Sequence, residues 1–298
     1  MEKIVAIVVT YNRKELLKEC INALINQDYP KCDILVVDNA STDGTKEYIV
    51  EELKNGKVHY INTGSNLGGA GGFNYGMKEA YNMGYEYMWL MDDDCIVKDD
   101  SLKELLKMDQ ELDGNYGFLS SKVLWKDESI CKMNIPKRSL FKKVEDWNIN
   151  IQEIIMATFV SFFIKASVVK ELGLPIKDFF IWADDIEYSR RISRKYKCYL
   201  VNSSVVIHKS KNNIGSNIIK DNSENISRYK YAYRNEQYLY KREGLVGKLY
   251  YKAKIIYHIL KLFFSKNNNN SQRKCKKNII ISAEREGRKF NPNIEYVE

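Results

Sequence analysis

Cysteine, proline and histidine are scarce in this 298-residue chain, at six, four and three residues. The six cysteines (Cys20, Cys32, Cys95, Cys131, Cys198 and Cys275) include no C-x-x-C pair and no Cys/His cluster with zinc spacing. That speaks against a structural zinc or a disulfide framework and fits a reducing cytoplasm. Four prolines and sixteen glycines exclude collagen and low-complexity disorder. No uninterrupted apolar run reaches about 18 residues, so no transmembrane helix is expected. The opening apolar run, residues 4–9, is too short for a secretory signal and is followed at once by Tyr11-Asn12-Arg13. Acidic residues are also sparse in the last quarter. Residues 228–298 hold 17 Lys/Arg against 6 Asp/Glu, while residues 1–227 hold 30 against 33. The overall charge of +8 therefore belongs to the C-terminal quarter, and a uniformly basic protein is excluded.

What is present is an alternation of strand and helix signals. Residues 4–9 and 33–37 are continuous β-branched and aliphatic runs, as in strands buried on both faces of a parallel sheet. Residues 14–26 repeat apolar side chains at helical spacing, and Ser41-Thr42-Asp43-Gly44 reads as a cap for a helix over 45–54. Strands are predicted at 58–62 and 87–91, with a glycine-rich segment, 68–72, leading into a helix over about 73–83. This alternation predicts an α/β doubly wound half. Further along, a helix is predicted over 101–113, strands over 117–123 and 198–207, and helices over 167–172, 184–195, 227–242 and 245–264. Residues 154–164 read as either strand or helix, and the Asn267–Asn270 run as a loop.

Four constellations carry chemistry. Asp92-Asp93-Asp94 ends an apolar strand, and alternate side chains of an extended segment can converge on one hard cation such as Mg²⁺ or Mn²⁺. Asp184-Asp185 follows the aromatic run Phe179-Phe180-Ile181-Trp182, at a helix start that favours an ionised carboxylate. His208 closes a strand, where it could act as a third metal ligand. Gly69, Gly71 and Gly72 would let the backbone approach a phosphate or sugar closely. A dinucleotide fingerprint would follow the first strand, where this chain has Thr10-Tyr11-Asn12-Arg13 instead, which counts against an NAD enzyme.

Taken in order, the segments 8–13, 36–44 and 66–73, the triple aspartate and Trp182-Ala183-Asp184-Asp185-Ile186-Glu187 resemble the inverting family-2 glycosyltransferases of GT-A fold. The Gly-Gly-Ala-Gly-Gly-Phe segment is similar to the branch holding bacterial galactofuranosyltransferases and rhamnosyltransferases. The resemblance implies an α/β, Rossmann-like GT-A domain over residues 1–225 and a basic helical extension over 226–298. It implies that Thr10, Tyr11, Arg13, Asp38, Asn66, Gly69, Asp93 and Trp182 serve the nucleotide-sugar site. Asp92, Asp94 and His208 would hold Mn²⁺ or Mg²⁺, Asp185 would be the catalytic base, and Asp184 would help hold the acceptor. The family has Trp directly before the paired acids, whereas Ala183 intervenes here. The implied reaction moves galactofuranose, or next rhamnose, from a UDP- or dTDP-sugar to a lipid-linked surface glycan. Two rivals are a catalytically silent glycan-binding protein of the same fold and a nucleotidyltransferase.

In the C-terminal quarter, Leu245, Leu249, Ala253, Ile256, Leu260 and Phe263 share one helical face near Lys248, Lys252, Lys254 and Lys261. Tyr229, Tyr231, Tyr233, Tyr238 and Tyr240 precede them among basic residues. Aromatics and lysines around an apolar stripe suit an anionic membrane surface, which implies a peripheral location on the cytoplasmic side of the cell membrane. A contact with the catalytic domain, or between copies in a homo-oligomer, would use the same stripe. Nucleic acid is not expected, because no binding motif accompanies the charge.

Overall fold

The computed structural model describes every residue except Met1, Glu2, Pro30, Asn55 and Asn267. The last of these begins the asparagine run expected to be a loop and lies outside the described residues. In chain order the elements are β1 (Ile4–Thr10), α1 (Lys14–Ile25), β2 (Cys32–Asp38), α2 (Thr45–Tyr48), α3 (Val50–Leu53) and β3 (Val58–Asn62). Then come α4 (Gly68–Asn82), β4 (Tyr87–Asp92), β5 (Cys95–Val97), α5 (Ser101–Glu111), β6 (Phe118–Trp125), β7 (Ile151–Glu153) and β8 (Phe162–Lys165). The chain continues with α6 (Ala166–Leu172), α7 (Asp184–Ser193), β9 (Tyr199–His208), α8 (Tyr229–Lys241), α9 (Gly244–Phe263) and α10 (Asn270–Lys289). These elements form two compact units, one of residues 1–177, 185–214 and 294–298, the other of residues 178–184 and 215–293. The division thus falls earlier than the expected 225/226. The second unit also takes in the aromatic segment ahead of α7.

The first unit is built on one mixed sheet, ordered β3-β2-β1-β4-β8-β6-β9-β5, with β7 also paired to β9. Strands β3, β2, β1 and β4 run parallel. Their unbroken apolar runs follow from burial on both faces. Ile4, Ala6 and Val8 of β1 pack with α1 and α5 on one side, while Val5, Ile7 and Val9 pack with α4 on the other. Register places Thr10 beside Asp38, and Val9 beside Asp92, so three polar side chains emerge at the carboxyl edge of adjacent strands. Open α/β sheets bind ligands at that edge.

Three local expectations are corrected. The glycine run does not precede α4 but forms its first turns. A Cβ on Gly72 would lie 2.5 Å from Val9 Cγ1, and one on Gly76 2.7 Å from Ile7 and Val37. These glycines let the helix settle onto β1 and β2. A Cβ on Gly71 would meet Leu67 at 2.6 Å, so only Gly69 of the three faces open space. Residues 45–54 form two four-residue helices, not one, and no side chain caps the first: left-handed Gly44 stands at its N-cap. Of residues 154–164, only 162–164 join a strand.

The second unit is a helical cluster. Tyr229 and Tyr233 of α8 pack with Ile218, Ile219, Leu262, Ile280 and Ala283. Tyr238 and Tyr240 are also buried, so these tyrosines are core residues and not the membrane-facing aromatics the sequence suggested. The aromatic segment is matched ring for ring by α8. Phe179 meets Tyr238 edge-on at 5.4 Å between ring centroids, Phe180 stacks on Tyr231 at 4.9 Å, and Trp182 lies 5.1 Å from Tyr229. Helix α10 has no counterpart in the sequence reading. Asn269 opens it with a capping box: its side chain accepts the Gln272 N–H, and Gln272 Oε1 accepts the Asn269 N–H. Its buried stripe is Lys276, Ile280, Ala283 and Gly287, which holds too little apolar character to stand out.

Candidate active site

The triple aspartate does not continue the strand. Asp92 ends β4, while Asp93 and Asp94 form a turn into β5. The turn sends neighbouring carboxylates to different partners. Asp93 is buried and held by two groups from the end of β1: Thr10 Oγ1 donates to Oδ2 at 2.8 Å, and Arg13 Nη1 donates to Oδ1 at 3.0 Å. The same Arg13 nitrogen reaches Asp94 Oδ2 at 3.0 Å. Burial pushes the Asp93 carboxyl up to about 7 against the opposing pull of Arg13.

Antiparallel pairing of β5 with β9 sets Cys95 opposite His208, and Lys209 N–H donates to the Asp94 carbonyl at 2.8 Å. This pairing brings His208 to the aspartates across more than a hundred residues. Donor atoms of Asp92, Asp94 and His208 lie within 4.8 Å of one another. His208 Nε2 is 3.1 Å from the buried Asp94 Oδ1. The other ring nitrogen, Nδ1, is 2.8 Å from Asn134 Oδ1, and Asn134 Nδ2 donates to Thr158 Oγ1 at 2.9 Å. Because the amide oxygen can only accept, Nδ1 carries the hydrogen. In the neutral ring, Nε2 then keeps a lone pair aimed at the aspartates.

A hard divalent cation fits this set. Two carboxylates and one imidazole converge within 4.8 Å of one another, and the histidine is oriented from behind as metal-binding histidines are. Without a cation the three groups titrate together. Desolvation opposes charge on His208, but Asp94 and Cys131 outweigh it and raise the ring to about 10. Asp94 is desolvated too, yet His208 holds it below the usual carboxylate range. Burial, then the Asp94 charge, pushes Asp92 up to about 6.

Asp185 is the second residue of α7, and its Oδ1 accepts the Ile186 N–H at 2.7 Å. Burial pushes its carboxyl up to about 6 against that hydrogen bond, and its charge adds to the rise at Asp92. The helix is fastened downstream. Ser189 Oγ accepts the Ala157 N–H at 3.1 Å, and Arg191 donates to the Leu172 and Leu174 carbonyls at 2.6 and 2.9 Å. An ion pair from Glu187 to Arg191 at 3.0 Å holds that guanidinium in place.

Asp38 is buried, with Oδ1 accepting the Ser41 N–H and Oδ2 accepting the Tyr60 hydroxyl. Tyr11 is 43% exposed at the end of β1. Asn66 Oδ1 accepts the Gly68 N–H at 2.9 Å and so shapes the start of α4, while a Cβ on Gly69 would meet nothing within 4 Å. Trp182 and Asp184 belong to the second unit, where Trp182 packs on Tyr229. Asn134 and Ser189 were missed. Asn134 sits in an irregular stretch and Ser189 within the polar helix α7; the contacts that give them their place here, to His208 and to Ala157, arise only in the tertiary fold.

The family model described as glycosyl transferase family 2 matches residues 5–172. Galactofuranosyltransferase GlfT1 of Mycolicibacterium smegmatis is 27% identical over 209 residues, covering 65% of this chain and 66% of that protein. This chain thus spans just under two thirds of the relative's length. Among solved structures, Staphylococcus aureus TarS 1–349 aligns with a TM-score of 0.57 and 16% identity, over 95% of this chain and 71% of that one. A mannosyltransferase from Pyrobaculum calidifontis, in complex with GDP-Man and Mn²⁺, aligns with a TM-score of 0.55 and 16% identity, over 96% and 73%. At that identity the likeness shows the fold, and it agrees with the expected GT-A architecture.

Proposed function

Because this chain belongs to glycosyl transferase family 2, we propose that it is a metal-dependent inverting glycosyltransferase acting on a nucleotide sugar. The observation that carries this reading is the convergence of Asp92, Asp94 and His208 at the carboxyl edge of the parallel strands, with the charge of Asp185 felt at Asp92. Likeness to GlfT1 supports galactofuranose as the sugar before rhamnose; the proposal further takes UDP or dTDP as its carrier and a growing surface glycan as the acceptor.

Asp92, Asp94 and His208 would hold Mn²⁺ or Mg²⁺, which when bound neutralises charge on the leaving diphosphate. The chain's own groups do the rest. Arg13 ties Asp93 and Asp94 together and fixes the turn that presents them. Thr10 holds the other Asp93 oxygen. Asp38, buttressed by Tyr60 and the Ser41 N–H, closes the edge where the nucleoside would lie. Asp185 takes the proton from the acceptor hydroxyl as that oxygen attacks the anomeric carbon from the face opposite the leaving group. Partial burial suits it to the task, because a base near neutrality combines ionisation with proton affinity. Asp184 would steady the acceptor.

Donor binding is tested by thermal shift with UDP-, dTDP- and GDP-sugars in Mn²⁺. Ligand at about 100 times its Kd stabilises by about 2.7 kcal/mol. A UDP- or dTDP-sugar should raise Tm by several degrees only with metal present. No shift with any nucleotide sugar would contradict the reading.

The reading also places the enzyme at an anionic membrane surface, where a lipid-linked acceptor would be met. Leu245, Val246, Leu249, Ile256, Leu260, Phe263 and Phe264 of α9 and its C-cap are 50–75% exposed. Their opposite face, with Gly247, Tyr251 and Leu262, is buried. Helix α9 contains four lysines and no acidic residue. Lys254 turns to Glu236 at 2.6 Å, leaving Lys248 and Lys252 on one flank of the apolar arc and Lys261 on the other. Among the described residues no helix is long and apolar enough to cross a membrane. Three lysines at about 1 kcal/mol each predict roughly hundredfold tighter binding to vesicles with phosphatidylglycerol than to neutral ones. The double substitution Leu249→Glu, Leu260→Glu should abolish flotation. Equal binding to both vesicles, or concentration-dependent dimerisation that the double substitution removes, would overturn the membrane reading.

A further inference from the structure

The segment before α7 holds an unusual backbone. Phe180, Trp182 and Ala183 have φ of 62°, 69° and 64°, the left-handed region that side chains other than glycine rarely adopt. Three such residues within four positions persist only where surroundings impose them. The surroundings here are two adjacent residues of α8. Asn235 is completely buried, and its Nδ2 donates to the carbonyls of Phe179, Ile181 and Trp182 at 3.0, 3.1 and 2.8 Å. Its Oδ1 accepts from Arg234 Nε at 3.0 Å. The opposite amide orientation would set an oxygen against three carbonyl oxygens, so the network admits one orientation only. Arg234 adds hydrogen bonds to the Asp178 and Phe179 carbonyls at 2.6 and 3.3 Å. Its guanidinium lies 4.1 Å from the Phe290 ring centroid and 5.2 Å from that of Tyr231.

We propose that Arg234 and Asn235 are positioning residues for the transfer reaction: they hold residues 178–183 in their left-handed path and so set the direction in which the chain enters α7 at Asp184 and Asp185. Downstream, α7 is fastened by Ser189 and Arg191. Upstream, its entry depends on a backbone that would relax without these donors. A release at Trp182 or Ala183 rotates the first residues of the helix, which include the base. Neither Arg234 nor Asn235 needs to touch substrate for this. The inference rests on the reading of Asp185 as the base.

Asn235→Asp and Asn235→Ala test it, the first retaining shape and removing the N–H donors. Misplacement of a catalytic group by about 1 Å costs on the order of 10²-fold, so kcat for sugar transfer should fall by about that factor in a folded variant. The Kd for the free nucleotide should stay within about twofold, since Thr10, Tyr11, Arg13, Asp38 and Asp93 all belong to the first unit. Chymotryptic cleavage after Phe180 or Trp182, read by mass spectrometry, should rise sharply in both variants. Unchanged kcat, a parallel loss of nucleotide affinity, unchanged cleavage, or unfolding of both variants by circular dichroism would each overturn the proposal. If the wild-type chain transfers no sugar, the glycosyltransferase reading falls, and cleavage alone decides whether the clamp exists.

Discussion

Asp185→Asn is expected to lower sugar transfer by about 10²–10⁴-fold, the usual contribution of a positioned general base. The substitution keeps the shape of the side chain and its place in the first turn of α7, where Oδ1 accepts the Ile186 N–H. It removes only the capacity to take a proton. Donor binding should therefore survive, and the loss should appear in kcat, not in donor KM. The wild-type enzyme adds a pH signature. Burial raises the Asp185 carboxyl to about 6. The base works only when deprotonated, so transfer should fall tenfold per pH unit below that value and level off above it. Measured kcat against pH from 5 to 8, with metal saturating, checks the sign. A rate that rises as pH falls, or an Asn variant with normal turnover, would remove Asp185 from the role.

The second large effect concerns the cation. Asp94→Asn should lower transfer by roughly 10³-fold, the several kcal/mol a divalent ion contributes to a leaving phosphate. Chelation with EDTA should do the same to the wild type, and Mn²⁺ should restore the wild type alone. A milder variant isolates the support behind the metal site. Asn134→Ala leaves all three donor groups in place but removes the acceptor for His208 Nδ1–H. Losing such an orienting partner weakens metal affinity by about 10–100-fold. Calorimetric titration with Mn²⁺ reads this directly, without reference to turnover. Full activity in EDTA, or unchanged Mn²⁺ affinity in Asn134→Ala, would contradict the assignment.

Much of this site could be read from the chain because strands buried on both faces announce themselves as apolar runs, and the polar residue that stops each run marks the carboxyl edge. Asp38 and Asp92 stand where such runs stop, and His208 stands at the end of β9 in the same way. What brings His208 to Asp94 could not be read, since the three-residue strand β5 is too short to show a period and its antiparallel partner lies more than a hundred residues away. Asn134 was invisible for a related reason: it lies in an irregular polar stretch, and its contacts with His208 and Thr158 are tertiary. The glycine run holds two kinds of residue that the sequence alone cannot distinguish, a glycine that could admit a phosphate and one that admits a neighbouring strand. Gly72 and Gly76 serve the second purpose. In the C-terminal quarter the apolar stripe of α9 is exposed as its spacing suggested, but the tyrosines of α8 turn inward to grip residues 179–182. Helix α10 escaped notice because its buried face includes a lysine and a glycine.

The split of charge between a mildly acidic body and a basic quarter follows the division of labour proposed above. The carboxylates at the strand ends would gather around the proposed cation. The lysines of α9 edge a surface that has no protein partner among the described residues.

The measurement closest to the central claim is product analysis after incubation with UDP-galactofuranose, a glycan acceptor and Mn²⁺. UDP should be released one-for-one with a new glycoside of inverted anomeric configuration, and neither product should form in EDTA or with Asp185→Asn. Release of pyrophosphate, retention of configuration, or turnover undiminished by EDTA would contradict that claim.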